Sequence, residues 1–236
     1  MERANLDHRL RKVINKIKDE NLRLMVLDFF RNPSIEIDGR VYKGLPIRDS
    51  PASISRHHNY PGGLLEHILS TTKIALAMCD SVEEVYHGNV SRDLVISGIL
   101  LHDILKPFTY SIKDDGAYRS SSLGERIDHL TLIASELIRK GFPQDLIHIA
   151  CSHHGEAGAI TPKTVEALIC HLADVADSSL NGEVLRAAKY LIAEVRGMPP
   201  KKIDSKKAFL IVYSKAIGGW DGLRKILDEM GENSVE

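Results

Sequence analysis

Between residues 6 and 30, Leu6, Leu10, Val13, Ile14, Ile17, Leu24, Leu27 and Phe30 recur at helical spacing. This predicts one amphipathic helix, or two divided near Asp19–Asn21. The period then changes in IEIDGRVYKGLPI, residues 35–47, where alternating β-branched residues flank Asp38-Gly39 and predict a small hairpin. After Gly63 the helical period returns with Leu64, Leu65, Ile68, Thr72, Ala75 and Leu76, ending near Cys79–Asp80. A helix over 92–106 carries Leu94, Val95, Ile99, Leu101 and Leu105; it is apolar nearly all round, which places it centrally, and Pro107 ends it. FTYSIKDDGAYRS predicts a second hairpin turning at Asp115-Gly116.

Further helices are expected over 125–140, 143–153, 162–179, 182–195 and 205–230. Gly141, Pro143, Pro162, Gly182 and Pro199-Pro200 punctuate them. The sum is an all-α fold, a helical bundle with two short β-hairpins. Residues 1–50 are expected to pack their helices and hairpin on a core at 51–198, with 199–236 as a helical appendage. The last helix carries Phe209, Leu210, Ile211, Tyr213, Ile217 and Trp220. Such a stripe is read as core first, with a homodimer face as the alternative.

Composition narrows the setting. The 236 residues are 43% hydrophobic and 27% charged, with a formal net charge of -1, so no global field recruits nucleic acid or an anionic membrane. Three cysteines without a Cys-x-x-Cys argue against a disulfide scaffold and a thiolate zinc site. The charged start MERANLDHRLRKVINK has no apolar signal region, and no apolar run approaches a membrane span, so a cytoplasmic chain without membrane contact is expected.

The polar residues that interrupt the apolar helices carry the chemistry. His67 lies in the first inner helix and His102-Asp103 in GILLHDILK. His129 lies in GERIDHLTLI, His153-His154 in IACSHHGE, and His171, Asp174 and Asp177 in LICHLADVADSS. Buried imidazoles and carboxylates must be paired or bound to a metal. A shared cation would satisfy donors from five successive helices together. Imidazole with carboxylate suits Mn, Fe, Co, Ni or Zn better than magnesium alone. His102 and Asp103 are about 100° apart around a helix, so a bridging Asp103 could hold a second metal.

As an ordered set these residues resemble the HD-domain metal-dependent phosphohydrolases. His67, His102-Asp103 and Asp174 match the signature H…HD…D. With His129 and His153-His154 it becomes H…HD…H…HH…D, the version that implies two metals per chain in that superfamily. The nearest likeness is to the HD core of the bacterial YhaM-type 3′–5′ exoribonucleases. It is carried by Pro51-Ala52, HHNYPGGLLEH at 57–67, LLHDILK, SHHG and ICHLADVAD, and covers residues 17–180. Leu105 stands where that family usually has glycine, and Asp128 where glycine often precedes the next histidine. The chain has too few residues before the core for the OB-like domain of those enzymes.

The resemblance implies a metal-dependent phosphohydrolase, a phosphodiesterase on nucleotides or nucleic-acid 3′ ends, with manganese among the candidate metals. It assigns one metal to His67, His102, Asp103 and Asp174, and a second to Asp103, His129 and His153. Lys106, one turn after His102, either neutralises the phosphate or caps the helix dipole. His154 is a ligand or a phosphate contact. Arg56, His57 and His58 line the phosphate side beside the glycine-rich helix start or form a plain polar loop. Glu66, His171 and Asp177 would stand behind the ligands, and Glu66 alternatively faces solvent. Arg119 and Arg126 are substrate contacts or surface charges. A single-metal nucleotide phosphomonoesterase, a di-iron oxygenase and a non-catalytic nucleotide-binding module remain alternatives.

Overall fold

The computed structural model describes residues 6–31 and 33–231. Residues 1–5, 32 and 232–236, which fall in the two expected terminal segments, lie outside it. The first segment forms two helices, α1 (His8–Ile14) and α2 (Glu20–Arg31). They divide where Asp93 accepts the Lys18 and Asp19 backbone N–H groups at 2.9 and 2.8 Å, and where Asp19 caps Leu22. Leu10, Ile14, Ile17, Val26 and Phe29 then join the main apolar core.

Both hairpins form where alternation and turn residues predicted them. Strand β1 (Ile35–Ile37) pairs antiparallel with β2 (Arg40–Tyr42), Ile35 opposite Tyr42. Asp38 and Gly39 both take positive φ, 53° and 67°, as a two-residue hairpin turn demands. Strand β3 (Tyr110–Ile112) pairs with β4 (Tyr118–Ser120).

Five helices surround the polar cluster. Helix α3 (Gly63–Glu84) outruns its expected end by a turn. Helix α4 (Arg92–Leu101) is buried throughout from Val95 to Leu101 and is central, as its all-round apolarity required. Helices α6 (His129–Arg139) and α7 (Gln144–Ser152) follow the second hairpin. Helix α8 (Val165–Arg196) crosses the others and ends at Gly197, whose φ of 82° is the left-handed cap.

Three expectations are corrected. The helix over 92–106 stops at Leu101, and His102–Leu105 form a tight turn before a short helix α5 (Lys106–Thr109). The cause is Pro107, which has no N–H to give the Asp103 carbonyl; Lys106 N–H takes that carbonyl instead, at 2.9 Å. Pro107 therefore opens the next helix rather than ending the previous one. The segments 162–179 and 182–195 are one helix. Gly182 does not break α8; it keeps the wall thin where a Cβ would meet the His57 Cβ at 3.8 Å.

The third correction concerns the last helix, α9 (Ser205–Gly231), which kinks at Gly219. Of its apolar stripe only Ile211 is buried, while Phe209, Leu210, Tyr213, Ile217 and Trp220 are exposed. The packed face is Ala208, Ile211, Leu223 and Leu227, which meets Leu185 and Ala188 of α8, Ile203 and Tyr60 in a second apolar cluster. The aromatic residues lie out of phase with that face.

Gly98 marks a tight helix crossing. A Cβ there would sit 2.4 Å from Ile149 Cγ2, where α4 meets α7. Gly98→Ala is expected to cost about 1–3 kcal/mol through overpacking, a fall of several degrees in Tm by calorimetry. An unchanged Tm would contradict this packing.

Candidate metal centre

The expected donors arrive at one place from α3, the turn after α4, the start of α6, the end of α7 and α8. His67, one turn into α3, is fully buried. Its Nδ1 donates to Asp177 Oδ2 at 2.6 Å, which leaves Nε2 as the free lone pair. That Nε2 stands 3.2 Å from His102 Nε2, 3.2 Å from Asp174 Oδ1 and 3.5 Å from Asp103 Oδ2. His102 is oriented in the same way, because its Nδ1 donates to the Ile99 carbonyl at 2.7 Å.

A second group meets the other oxygen of the same carboxylate. His129 Nε2 lies 3.4 Å and His153 Nε2 3.6 Å from Asp103 Oδ1. His153 Nδ1 donates to the Ala150 carbonyl at 2.7 Å, so its Nε2 is free to coordinate. Asp103 Oδ1, His129 Nε2 and His153 Nε2 are buried and have no hydrogen-bond partner among the described residues. Buried polar atoms rarely stay unpaired, and three converging on one point fit a missing cation. Ligand atoms of His67, His102 and Asp174 form one group within 4.8 Å; those of His102, Asp103 and His153 form another, and those of His129, His153 and His154 a third.

Charge runs through the cluster. Burial disfavours an ionised Asp103, yet the Lys106 ammonium, which donates to its Oδ2, and the neighbouring imidazoles hold it well below the usual carboxylate range. Burial likewise opposes charge on Lys106, and Asp103 overcomes it. Lys106 is thus a buried cation at the Asp103 carboxylate.

The remaining expected residues separate by position. His171 Nδ1 donates to the His153 carbonyl at 2.7 Å and so steadies that ligand from behind. Asp177 does the same for His67. Glu66 faces solvent and accepts from Tyr60 Oη at 3.1 Å, away from the donors. Arg56, His57, His153, His154 and Asp174 line a cleft of about 760 Å³ that opens along α8 past Ser178 and Gly182. His58 is buried and turns toward Asp177 instead. Arg119 and Arg126 are exposed and lie outside the residues lining that cleft.

Both departures from the family pattern have local explanations. Leu105 is buried at φ -94°, a conformation that needs no glycine. Asp128 caps α6, its side chain accepting from Thr131 N–H at 2.7 Å. Sequence reasoning missed Asn181, whose Oδ1 accepts the His58 N–H at 2.6 Å. Its only signal was an asparagine beside Gly182, which read as punctuation between two helices.

The HD domain profile matches residues 64–179. A dihydroneopterin 2′,3′-cyclic phosphate phosphodiesterase of Methanocaldococcus jannaschii is 46% identical over 181 residues, covering 77% of this chain and 72% of that protein. The 3′–5′ exoribonuclease YhaM of Oceanobacillus iheyensis is 28% identical over 190 residues, covering 77% of this chain and 55% of its own length. The Listeria innocua YhaM is 33% identical over 144 residues, covering 56% and 44%. The chain thus spans about half of each exoribonuclease. No solved structure gives a significant match.

Burial pushes the imidazoles of His57, His58, His129 and His154 down to about 4, 3, 3 and 4. Unfolded, they would take protons near 6.5. Their contribution to stability is therefore complete above that pH and is lost as pH falls toward the folded values. His67 runs the other way: burial opposes its charge, but Asp103, Asp174 and Asp177 raise it, and that contribution is lost as pH rises. Four groups outweigh one. The Tm of chelator-treated protein is expected to fall by several degrees between pH 7 and pH 5; a level or rising Tm would contradict the assignment.

Proposed function

The chain belongs to the HD-domain family, and on that premise we propose that it is a two-metal phosphodiesterase acting on 2′,3′-cyclic phosphates of nucleoside-like compounds. The hydrolase class follows from the family and from the phosphodiesterase relative. The two-metal reading is carried by the orphaned trio of Asp103 Oδ1, His129 Nε2 and His153 Nε2. These atoms gather at the Asp103 oxygen opposite the one that His67 approaches, and one further cation would give all three a partner.

In this reading His67, His102, Asp103 and Asp174 would hold one metal, and Asp103, His129 and His153 would hold the other, with His154 beside them. A donor set of imidazole and carboxylate suits Mn, Fe, Co, Ni or Zn. Bound there, such a pair supplies an activated water and offsets charge on the phosphoryl oxygens. The protein's own groups do the rest. Lys106 brings a buried positive charge to the reacting phosphate, and the bonds at Nδ1 of His67, His102 and His153 keep those three imidazoles in the tautomer that leaves Nε2 free. Arg56 and His57 on one wall of the cleft, with His154 on the other, receive the ester. A cytoplasmic setting goes with three free cysteines, and no described helix is long and apolar enough to cross a membrane.

The choice of substrate class rests on the Methanocaldococcus relative. The test is hydrolysis of guanosine and adenosine 2′,3′-cyclic phosphates against RNA 3′ ends and p-nitrophenyl phosphate, with metal per chain by mass spectrometry. Cyclic ester turnover with two equivalents in this centre is expected. Turnover of the monoester alone, or a strict need for oxygen, would overturn the reading. Asp103→Ala should stay folded yet lose metal and activity; full activity would sink the assignment. Lys106→Ala should keep its metal and lose about 10²–10³-fold in kcat.

A further inference from the structure

The loop before α3 holds two histidines in an arrangement that receiving the ester through His57 does not by itself account for. His58 sits at φ 45°, in the left-handed region that a non-glycine residue occupies at a cost of about 1–3 kcal/mol. The surroundings impose it. Asn181 Oδ1 accepts the His58 N–H at 2.6 Å, and Asn181 Nδ2 donates to Ser205 Oγ at 2.6 Å. Ser205 in turn bonds Tyr60 Oη. The His58 carbonyl lies so close to α3 that a Cβ on Gly63 would sit 2.1 Å from it.

That backbone has one geometric result. Consecutive side chains in extended chain point apart. Here the rings of His57 and His58 turn together and their Nδ1 atoms face each other at 3.3 Å. One shared proton would satisfy a single hydrogen bond, which needs no such strain. Two nitrogens bound to one cation at about 2.1 Å stand about 3.0–3.4 Å apart, the spacing seen here. A carboxylate completes the set: Asp177 Oδ2 is 3.7 Å from His58 Nδ1. Ligand atoms of His57, His58 and His67 also lie within 4.8 Å of one another.

We infer that His57, His58 and Asp177 form a third cation site, beside the two-metal centre, for a first-row divalent transition metal. Two imidazoles and one carboxylate leave coordination positions open, and the half-buried His57 lines the cleft, so those positions adjoin the substrate space. The site is tied to its neighbour through Asp177, which also accepts from His67 Nδ1 at 2.6 Å. It would set a third positive charge at the wall where the ester enters.

The experiment is metal per chain after loading with manganese and desalting, for the wild type, His57→Ala, His58→Gln and His129→Ala. The wild type should carry one equivalent more than either loop variant, and His129→Ala should lose metal from the other centre only. His57 is only half-buried, so its variant should fold even if His58→Gln does not; circular dichroism and Tm check this. Equal metal content in the wild type and folded His57→Ala would overturn the third site. If the two-metal reading fails instead, the wild-type total drops, but the one-equivalent difference on His57→Ala persists.

Discussion

Everything in this fold answers to one buried carboxylate. Asp103 is 1% exposed, inside a core of Leu100, Leu101, Ile104 and Leu105. A lone ionised carboxylate there would cost several kcal/mol, so the chain must surround it with positive or coordinating partners. It does so from four directions: Lys106 and His102 beside it, His67 across from α3, and His129 and His153 from α6 and α7. The Lys106 ammonium offsets the charge on one oxygen. The other oxygen and two imidazole nitrogens have no hydrogen-bond partner among the described residues.

The chain presents this group at the end of a helix. His102 keeps helical backbone angles as the cap of α4. Pro107 removes the N–H that would have carried α4 onward, and the chain closes into a turn that places His102 and Asp103 side by side at the centre. Three of the converging imidazoles are locked from behind. His67 is held by Asp177, His102 by the Ile99 carbonyl and His153 by the Ala150 carbonyl. Each such bond fixes the tautomer and aims Nε2 inward.

The terminal helix joins this unit by a polar route. Ser205, at the start of α9, bonds Asn181 of α8, and Asn181 holds the backbone of the His57–His58 loop. Tyr60 ties the same loop to Ser205 and to Glu66 of α3. A helix read from sequence as an appendage is thus wired to the wall of the cleft, while its aromatic face points to solvent.

The chain alone determined the helical class, both hairpins and the identity of the convergent donors. Period and turn residues act locally, and imidazoles on apolar helices demand a partner wherever they fold. Local rules failed where two elements compete for one atom. Pro107 redirected the Asp103 carbonyl, Gly182 stayed helical because α8 packs along its whole length, and the aromatic stripe of α9 faced outward because another face met Leu185 and Ala188. Only the tertiary structure decided which nitrogen of each histidine is free and which oxygen of Asp103 each donor meets. It also decided that His57 and His58 share one focus. Those outcomes depend on angles and distances between helices distant in sequence, and no spacing along the chain encodes them.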